Sequence, residues 1–290
     1  MSFILTLNST NVSNTNTNTS FRYNFINGGF TCKDYEMCIS SITLPYSFFN
    51  VSSYYNNKTF SLIFPTGATT ITYNFTLPDG FYTITDINSY IQQQCISNGT
   101  YLIDSSGNNI YFVKMVYNTT YYAVQFLYYL VPTLAGIGTY VRPSSGLYST
   151  SGTGLPTTAY TPRLVLASTG SIRTIMGFES GTFPSSPATA SSDELSTLTP
   201  IGSTVNSIIM QCSLISTRCT IPSDIIDSMP INNVSFGSNI TYQPPFENFV
   251  SVSDGTFNNF TFSFRDQNLN EIYARDPNVS ITLIIRPRKK

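Results

Sequence analysis

Apolar and polar residues take turns along much of this chain. Phe21, Tyr23 and Phe25 alternate with Arg22 and Asn24. Ile71, Tyr73 and Phe75 alternate with Thr70, Thr72, Asn74 and Thr76. Phe260, Phe262 and Phe264 alternate with Thr261, Ser263 and Arg265. Val279, Ile281, Leu283 and Ile285 alternate with Ser280, Thr282 and Arg286, and only Ile284 interrupts the polar side. Successive side chains point to opposite faces of a strand, so each stretch predicts a strand with one buried and one wet face. More mixed strands are expected at 37–44, 59–64, 110–117, 121–130 and 205–215.

Turn chemistry separates these strands. Pro78-Asp79-Gly80 follows Ile71–Leu77, and Ser105-Ser106-Gly107-Asn108-Asn109 separates Tyr101–Asp104 from Ile110–Tyr117. Gly and Asn tolerate the positive φ that tight turns require. One helix is expected. Thr85 or Asp86 caps it, Ile87, Tyr90, Ile91 and Cys95 form its apolar stripe, and Asn98-Gly99 ends it. A weaker helical turn is expected at Ser171–Met176, stopped by Gly177. Residues 131–162 and 183–200 lack periodicity and are rich in Gly, Pro, Ser and Thr. They read as irregular insertions in one β domain spanning 1–290, or the first marks a boundary between two β units, 1–130 and 163–290.

The chemistry available is narrow. The chain has no histidine and no tryptophan in 290 residues, and only 10% of residues are charged. Without imidazole no Ser-His-Asp or Cys-His triad can form. No phosphate-cradling GxxxxGK[ST] occurs, and Gly136-Ile137-Gly138 lacks the rest of a dinucleotide fingerprint. The carboxylates are scattered and none has calcium-loop spacing. A glycosidase needs only two carboxylates, yet nothing in the sequence marks a pair. No catalytic, cofactor-binding or metal-binding residue is therefore assigned, and no cofactor is expected.

The formal net charge is −1, so the body of the chain offers no basic groove to accompany its many aromatics. Tyr54-Tyr55, Tyr121-Tyr122 and Tyr128-Tyr129 are read as core and interface aromatics. The hydrophobic share of 41% is ample for a core. The five cysteines, Cys32, Cys38, Cys95, Cys212 and Cys219, are loosely spaced and read as small buried hydrophobes in a reducing compartment, with a Cys212–Cys219 disulfide as the alternative. No basic leader or span of about 20 apolar residues is present, so a soluble chain made in the cytosol is expected. On that reading the Asn-X-Ser/Thr sequons at Asn8, Asn50, Asn74, Asn118 and Asn259 carry no glycan. Arg286-Pro287-Arg288-Lys289-Lys290 reads as a solvated tail, or as a basic arm that touches acidic protein or nucleic acid.

Several phrases carry a family likeness. Leu44-Pro45-Tyr46-Ser47-Phe48-Phe49-Asn50-Val51 follows a hydrophobic strand. Leu77-Pro78-Asp79-Gly80-Phe81-Tyr82 leads into Ile84-Thr85-Asp86-Ile87-Asn88-Ser89-Tyr90-Ile91. Phe264-Arg265-Asp266-Gln267-Asn268 and Arg275-Asp276-Pro277-Asn278 precede the last strand. Together, from about Phe21 to Arg286, these resemble penton and minor capsid proteins of virophages, polinton-like viruses and giant double-stranded DNA viruses. The family pattern has Trp where Phe48 stands, so an aromatic is retained. The resemblance implies an all-β jelly-roll β-sandwich, no enzyme activity and a place in the virion of an icosahedral virus, after synthesis in the host cytoplasm. It implies a homo-oligomer, a pentamer for a penton, with the major capsid protein and other capsid proteins as partners.

The expected fold is thus an all-β jelly roll with long loop insertions and one short amphipathic helix, with two stacked β-sandwich units as the alternative. The expected contact residues, chosen for irregular sequence and charge, are Leu134, Tyr140, Arg142, Tyr148, Tyr160, Arg286, Arg288, Lys289 and Lys290. The rival function is a carbohydrate- or receptor-binding β-sandwich, such as a fibre head or lectin-like module.

Overall fold

The computed structural model describes residues 2–26 and 28–288. The chain is all-β, built of sheets that are antiparallel except where Gly170–Ser171 pairs parallel to Asn57–Thr66, with one fifteen-residue helix and a shorter helical segment. It divides into two compact units, residues 1–49 with 204–290, and residues 50–203. The irregular stretch at 131–162 lies inside the second unit rather than at a boundary.

Eight strands form the two main sheets of the first unit, beside three short ones at Phe30–Cys32, Val250–Ser251 and Gly255–Phe257: β1 (Phe3–Asn8), β2 (Ser20–Asn24), β3 (Tyr35–Pro45), β4 (Ser207–Cys212), β5 (Ile225–Pro230), β6 (Asn239–Tyr242), β7 (Asn259–Arg265) and β8 (Ser280–Pro287). One sheet has the order β1-β8-β3-β6 and the other β5-β4-β7-β2. Of the consecutive strands only β4 and β5 are neighbours in a sheet; every other connection passes from one sheet to the other. That order is a jelly roll, the double-sheet solution that limits exposed edges.

The alternating residues meet between the sheets. In the β5-β4-β7-β2 sheet Phe21 stands opposite Phe262, Tyr23 opposite Phe260 and Met210 opposite Phe264. Phe21, Phe260, Phe262 and Phe264 are all buried, and the Phe21 and Phe264 rings meet edge to face at 5.8 Å. Each such burial contributes roughly 1.5–3 kcal/mol relative to exposure. In the facing sheet Leu7, Ile281, Leu283, Ile285, Met37, Ile39, Ile42 and Leu44 are buried. The Cys212 and Met37 sulfurs, one from each sheet, lie 3.9 Å apart.

The spacing Met37, Ile39, Ile42, Leu44 departs from strict alternation by one residue. The register against β8 shifts at that point, between Thr282 and Leu283. A β-bulge takes up the extra residue and returns both halves of β3 to the same face.

The second unit holds a sheet of Asn57–Thr66, Thr69–Thr76, Arg163–Leu166, Gly170–Ser171 and Gly181–Phe183, and a second sheet of Val113–Asn118, Ala123–Tyr128 and Ser192–Leu195. Helix α1 (Ile84–Asn98) buries Ile87, Ile91 and Cys95 in this unit's core. Its N-cap is Thr83, not Thr85 or Asp86: the Thr83 hydroxyl accepts from the Asp86 N–H, and the Asp86 carboxylate accepts from the Thr83 N–H. This capping box satisfies two helix-end donors at once. Gly99 ends the helix at φ +63, as its place after Asn98 predicts. The second helix, α2 (Arg173–Met176), ends at Gly177 with φ +72.

The segment 131–162 is irregular but anchored. Leu147 and Tyr148 donate their N–H groups to the Asn98 and Gly99 carbonyls at 2.8 and 2.9 Å, so the loop satisfies the end of α1. Gly99 and Gly146 stand back to back, and a Cβ on either would strike the other's backbone.

Asn50 fixes the point where the chain enters and leaves the second unit. It is fully buried, donates to the Tyr82 carbonyl at 2.8 Å and the Gly202 carbonyl at 2.9 Å, and accepts from the Tyr82 N–H at 2.8 Å. That amide leaves no room for a glycan on the Asn50 sequon. We predict that Asn50→Ala, which removes three part-buried hydrogen bonds to the Tyr82 and Gly202 backbone, costs about 1–3 kcal/mol in urea unfolding. A loss below about 0.5 kcal/mol would show that this junction does not depend on the amide.

Candidate interaction surfaces

The expected contact residues have different fates. Leu134 and Tyr140 are exposed, at 63% and 40%. Tyr160 is half-buried, and its backbone bridges to Val131. Tyr148 is fully buried, so it is a core residue and not a contact residue. Its hydroxyl donates to the Pro65 carbonyl at 3.0 Å, its ring packs edge-on against Phe112 at 6.0 Å, and burial pushes its phenol well above the usual tyrosine range. Arg142 is spent inside the loop, donating to the Tyr148 carbonyl at 2.6 Å and to the Ser149 carbonyl. An irregular sequence here encodes a segment held by backbone hydrogen bonds, which side-chain periodicity cannot report.

The described part of the C-terminal arm is tied down. Arg286 belongs to β8, and its Nε lies 2.7 Å from the Glu36 carboxylate. Its Nη1 lies 3.7 Å from Glu247, and the guanidinium sits 3.4 Å above the Phe249 ring. Arg288 donates its backbone N–H to the Asp34 carbonyl at 2.7 Å and its guanidinium to the Ser251 hydroxyl. A free basic arm at Arg286 and Arg288 is thereby corrected: carboxylates and an aromatic face hold Arg286, and the Asp34 carbonyl and Ser251 hydroxyl hold Arg288. Lys289 and Lys290 lie outside the described residues.

Among the described residues each unit carries a surface hollow. In the second unit Tyr111, Phe112, Tyr129, Leu130, Pro132 and Tyr140 line a cleft of about 310 Å³. Its other polar side chain, Ser191, already accepts from the Leu130 N–H at 2.9 Å. No carboxylate lines this cleft, so it offers ring faces and phenols but no acid–base pair. In the first unit a wider hollow of about 450 Å³ is bordered by Thr217, Cys219, Asp227, Asn248, Phe249 and Ser251. There the Tyr242 hydroxyl donates to the Asp227 carboxylate at 2.8 Å. Burial first, and then that carboxylate, push the Tyr242 phenol up to about 12. Neither hollow was marked in the sequence, because segments separated along the chain, most of them outside strands, assemble the linings.

Among the described residues no group of three or more Cys, Asp and Glu side chains is placed to hold a metal ion, and no helix is long and apolar enough to cross a membrane. Cys32, Cys38, Cys95 and Cys212 are buried, Cys219 is exposed, and all five are free thiols. The alternative of a Cys212–Cys219 disulfide is not realised. Burial pushes the thiols of Cys95 and Cys212 up to about 11 and about 12, which makes them unreactive packing groups. Of the paired tyrosines, Tyr128 is core, whereas Tyr121 and Tyr122 are exposed at 67% and 64%.

No family model matches the chain, and no curated protein matches it. Among solved structures it is similar to a SeMet-labelled mavirus penton protein, with 10% identity and a TM-score of 0.39 over 99% of this chain and 100% of that one.

Arg286 gives the arm a direct test. We predict that Arg286→Ala lowers stability by about 1–2 kcal/mol, because it removes the cation–π contact and leaves half-buried Glu36 unpaired. Arg286→Lys should recover less than half of that loss, since an ammonium lacks the planar fork. Urea midpoints unchanged in both variants would show that these contacts contribute nothing.

Proposed function

We propose that the chain is a structural virion protein, a penton or minor capsid protein of an icosahedral double-stranded DNA virus. The observation that carries this reading is the strand order of the first unit, a jelly roll of two sheets visited in turn by the chain. Viral capsid domains use this architecture, as do lectins and cupins. The chemistry counts against the cupin among these three. Cupin activity needs metal ligands, and this chain has no histidine.

The phrases behind the family likeness have structural work to do. Leu44-Pro45 ends β3 just before the chain passes into the second unit. Asp266 closes the turn after β7 by accepting from the Asn268 and Asn270 N–H groups, both at 2.8 Å. Asp276 accepts from the Asn278 N–H at 2.9 Å on the way into β8. These residues shape turns, as a building block requires.

In this reading the chain makes lateral contacts with its own copies and with the major capsid protein. The outward faces carry the contacts, Leu134 and Tyr140 among them, and chemistry plays no part. A second reading, a glycan-binding β-sandwich, draws on the tyrosine-lined cleft, because sugar rings stack on aromatic faces.

Mass photometry of the purified full-length chain separates the two. A penton should give a closed ring of about 160 kDa, five copies of the 32.1 kDa chain. A minor capsid protein should stay smaller and co-sediment with assembled shells. A monomer that ignores shells and binds a defined sugar on a glycan array, with binding lost in Tyr129→Ala, would overturn the capsid reading.

A further inference from the structure

We propose that the Thr69–Thr76 strand is a pairing edge, and that its partner is the same strand of a second copy of this chain, antiparallel across a two-fold axis. The argument rests on strand geometry alone and does not depend on the capsid reading.

Thr69–Thr76 pairs with Asn57–Thr66 through eight consecutive residues without a register shift. Nothing else in its sheet lies beyond it, so it is an edge. Three contacts fix which backbone groups point inward. The Pro65 carbonyl accepts from Tyr148, and the Thr59 carbonyl accepts from the Ile172 N–H, so both residues turn away from the edge strand. Leu77 donates to the Lys58 carbonyl at 2.9 Å, which sets the opposite parity as the bonded one. Hydrogen-bonded and non-bonded pairs alternate along an antiparallel ladder. Ile71, Tyr73 and Phe75 therefore bond inward, and Thr70, Thr72, Asn74 and Thr76 direct N–H and C=O outward. The Thr76 carbonyl takes the Tyr90 hydroxyl at 3.0 Å, as an outward group would. For Thr70, Thr72 and Asn74 the outward groups have no partner among the described residues.

An edge of this kind is normally guarded by charge, proline or a bulge. Several other edges of this molecule are guarded so: Arg22 on β2, Asp227 and Pro230 on β5, and Asp193 and Glu194 on Ser192–Leu195; β1 and the four-residue β6 are not, but neither is as long as Thr69–Thr76. Thr69–Thr76 carries no charge, no proline and no bulge. Thr70, Thr72 and Asn74 are exposed beside it.

Its sequence is also self-complementary. With Thr72 facing Thr72 of the other copy, Thr70 faces Asn74 and Ile71 faces Tyr73, in both directions. Thr–Thr and aromatic–β-branched pairs are favourable across strands. The three outward residues of each copy would then exchange about six backbone hydrogen bonds. A two-fold contact closes on itself, so it joins two copies without seeding a fibre.

Sedimentation velocity of the full-length chain over a concentration series tests this, with Thr72→Pro and Asn74→Lys as variants. Proline at 72 removes only an outward N–H, so far-UV circular dichroism and Tm should match wild type. The wild type should show a concentration-dependent two-copy step, and each variant should weaken it at least about tenfold, since Thr72→Pro removes an outward N–H from each copy and Asn74→Lys sets a charge on the edge. A wild type with no such step, or a step that both variants leave unchanged, would overturn the proposal. Five-copy rings that survive in Thr72→Pro, with no two-copy step in the wild type, would sink this edge while leaving the capsid reading intact.

Discussion

The structure of the first unit depends on a layer of phenylalanines that β7 drives between two sheets. β7 is the inner strand that bonds to both β2 and β4, so Phe260, Phe262 and Phe264 meet neighbours on either side. Removing any one of these rings would leave a cavity with few ways to collapse. The polar alternates, Thr261 and Arg265, are then left for solvent and for the ion pair with Glu271 at 3.3 Å. Alternation in sequence and separation in space are thus one constraint, and the long insertion enters between β3 and β4 without interrupting either strand. Loop-closure cost grows only slowly with loop length, and the buried Asn50 amide ties the ends of the insertion together.

Much of this was legible in the sequence, for a physical reason. β2, β7, β8 and the Asn57–Thr66 and Thr69–Thr76 hairpin bury one face each, and period two reports that directly. β5 was not legible. Its buried residues, Ile226 and Met229, stand three apart because a bulge interrupts the pairing with β4. The same device in β3 left a readable trace only because that strand is long. β6 has four residues, and Ile240 is its single buried apolar side chain, too little for a pattern.

The candidate contact residues were the least legible part. Irregular composition at 131–162 signalled an absence of strands, and that held, but it said nothing about burial. Tyr148 is drawn into the core by the Pro65 carbonyl and the ring of Phe112, groups distant in sequence. Arg286 was read as part of a tail because of its basic neighbours, yet its partners Glu36, Glu247 and Phe249 become visible only when strands are paired. Surface and edge, where this molecule meets others, are set by tertiary pairing, whereas core is set by local pattern.

Native-state hydrogen exchange tests the central claim most directly, that the eight strands form one cooperative sandwich around the β7 rings. The amides of Phe260, Phe262 and Phe264 and those of Ile39 and Ile42 lie in different sheets and far apart in sequence. The account predicts that they exchange through a common opening with the same free energy, and slower than any turn amide of the first unit. Protection of β3 with free exchange in β7 would contradict it.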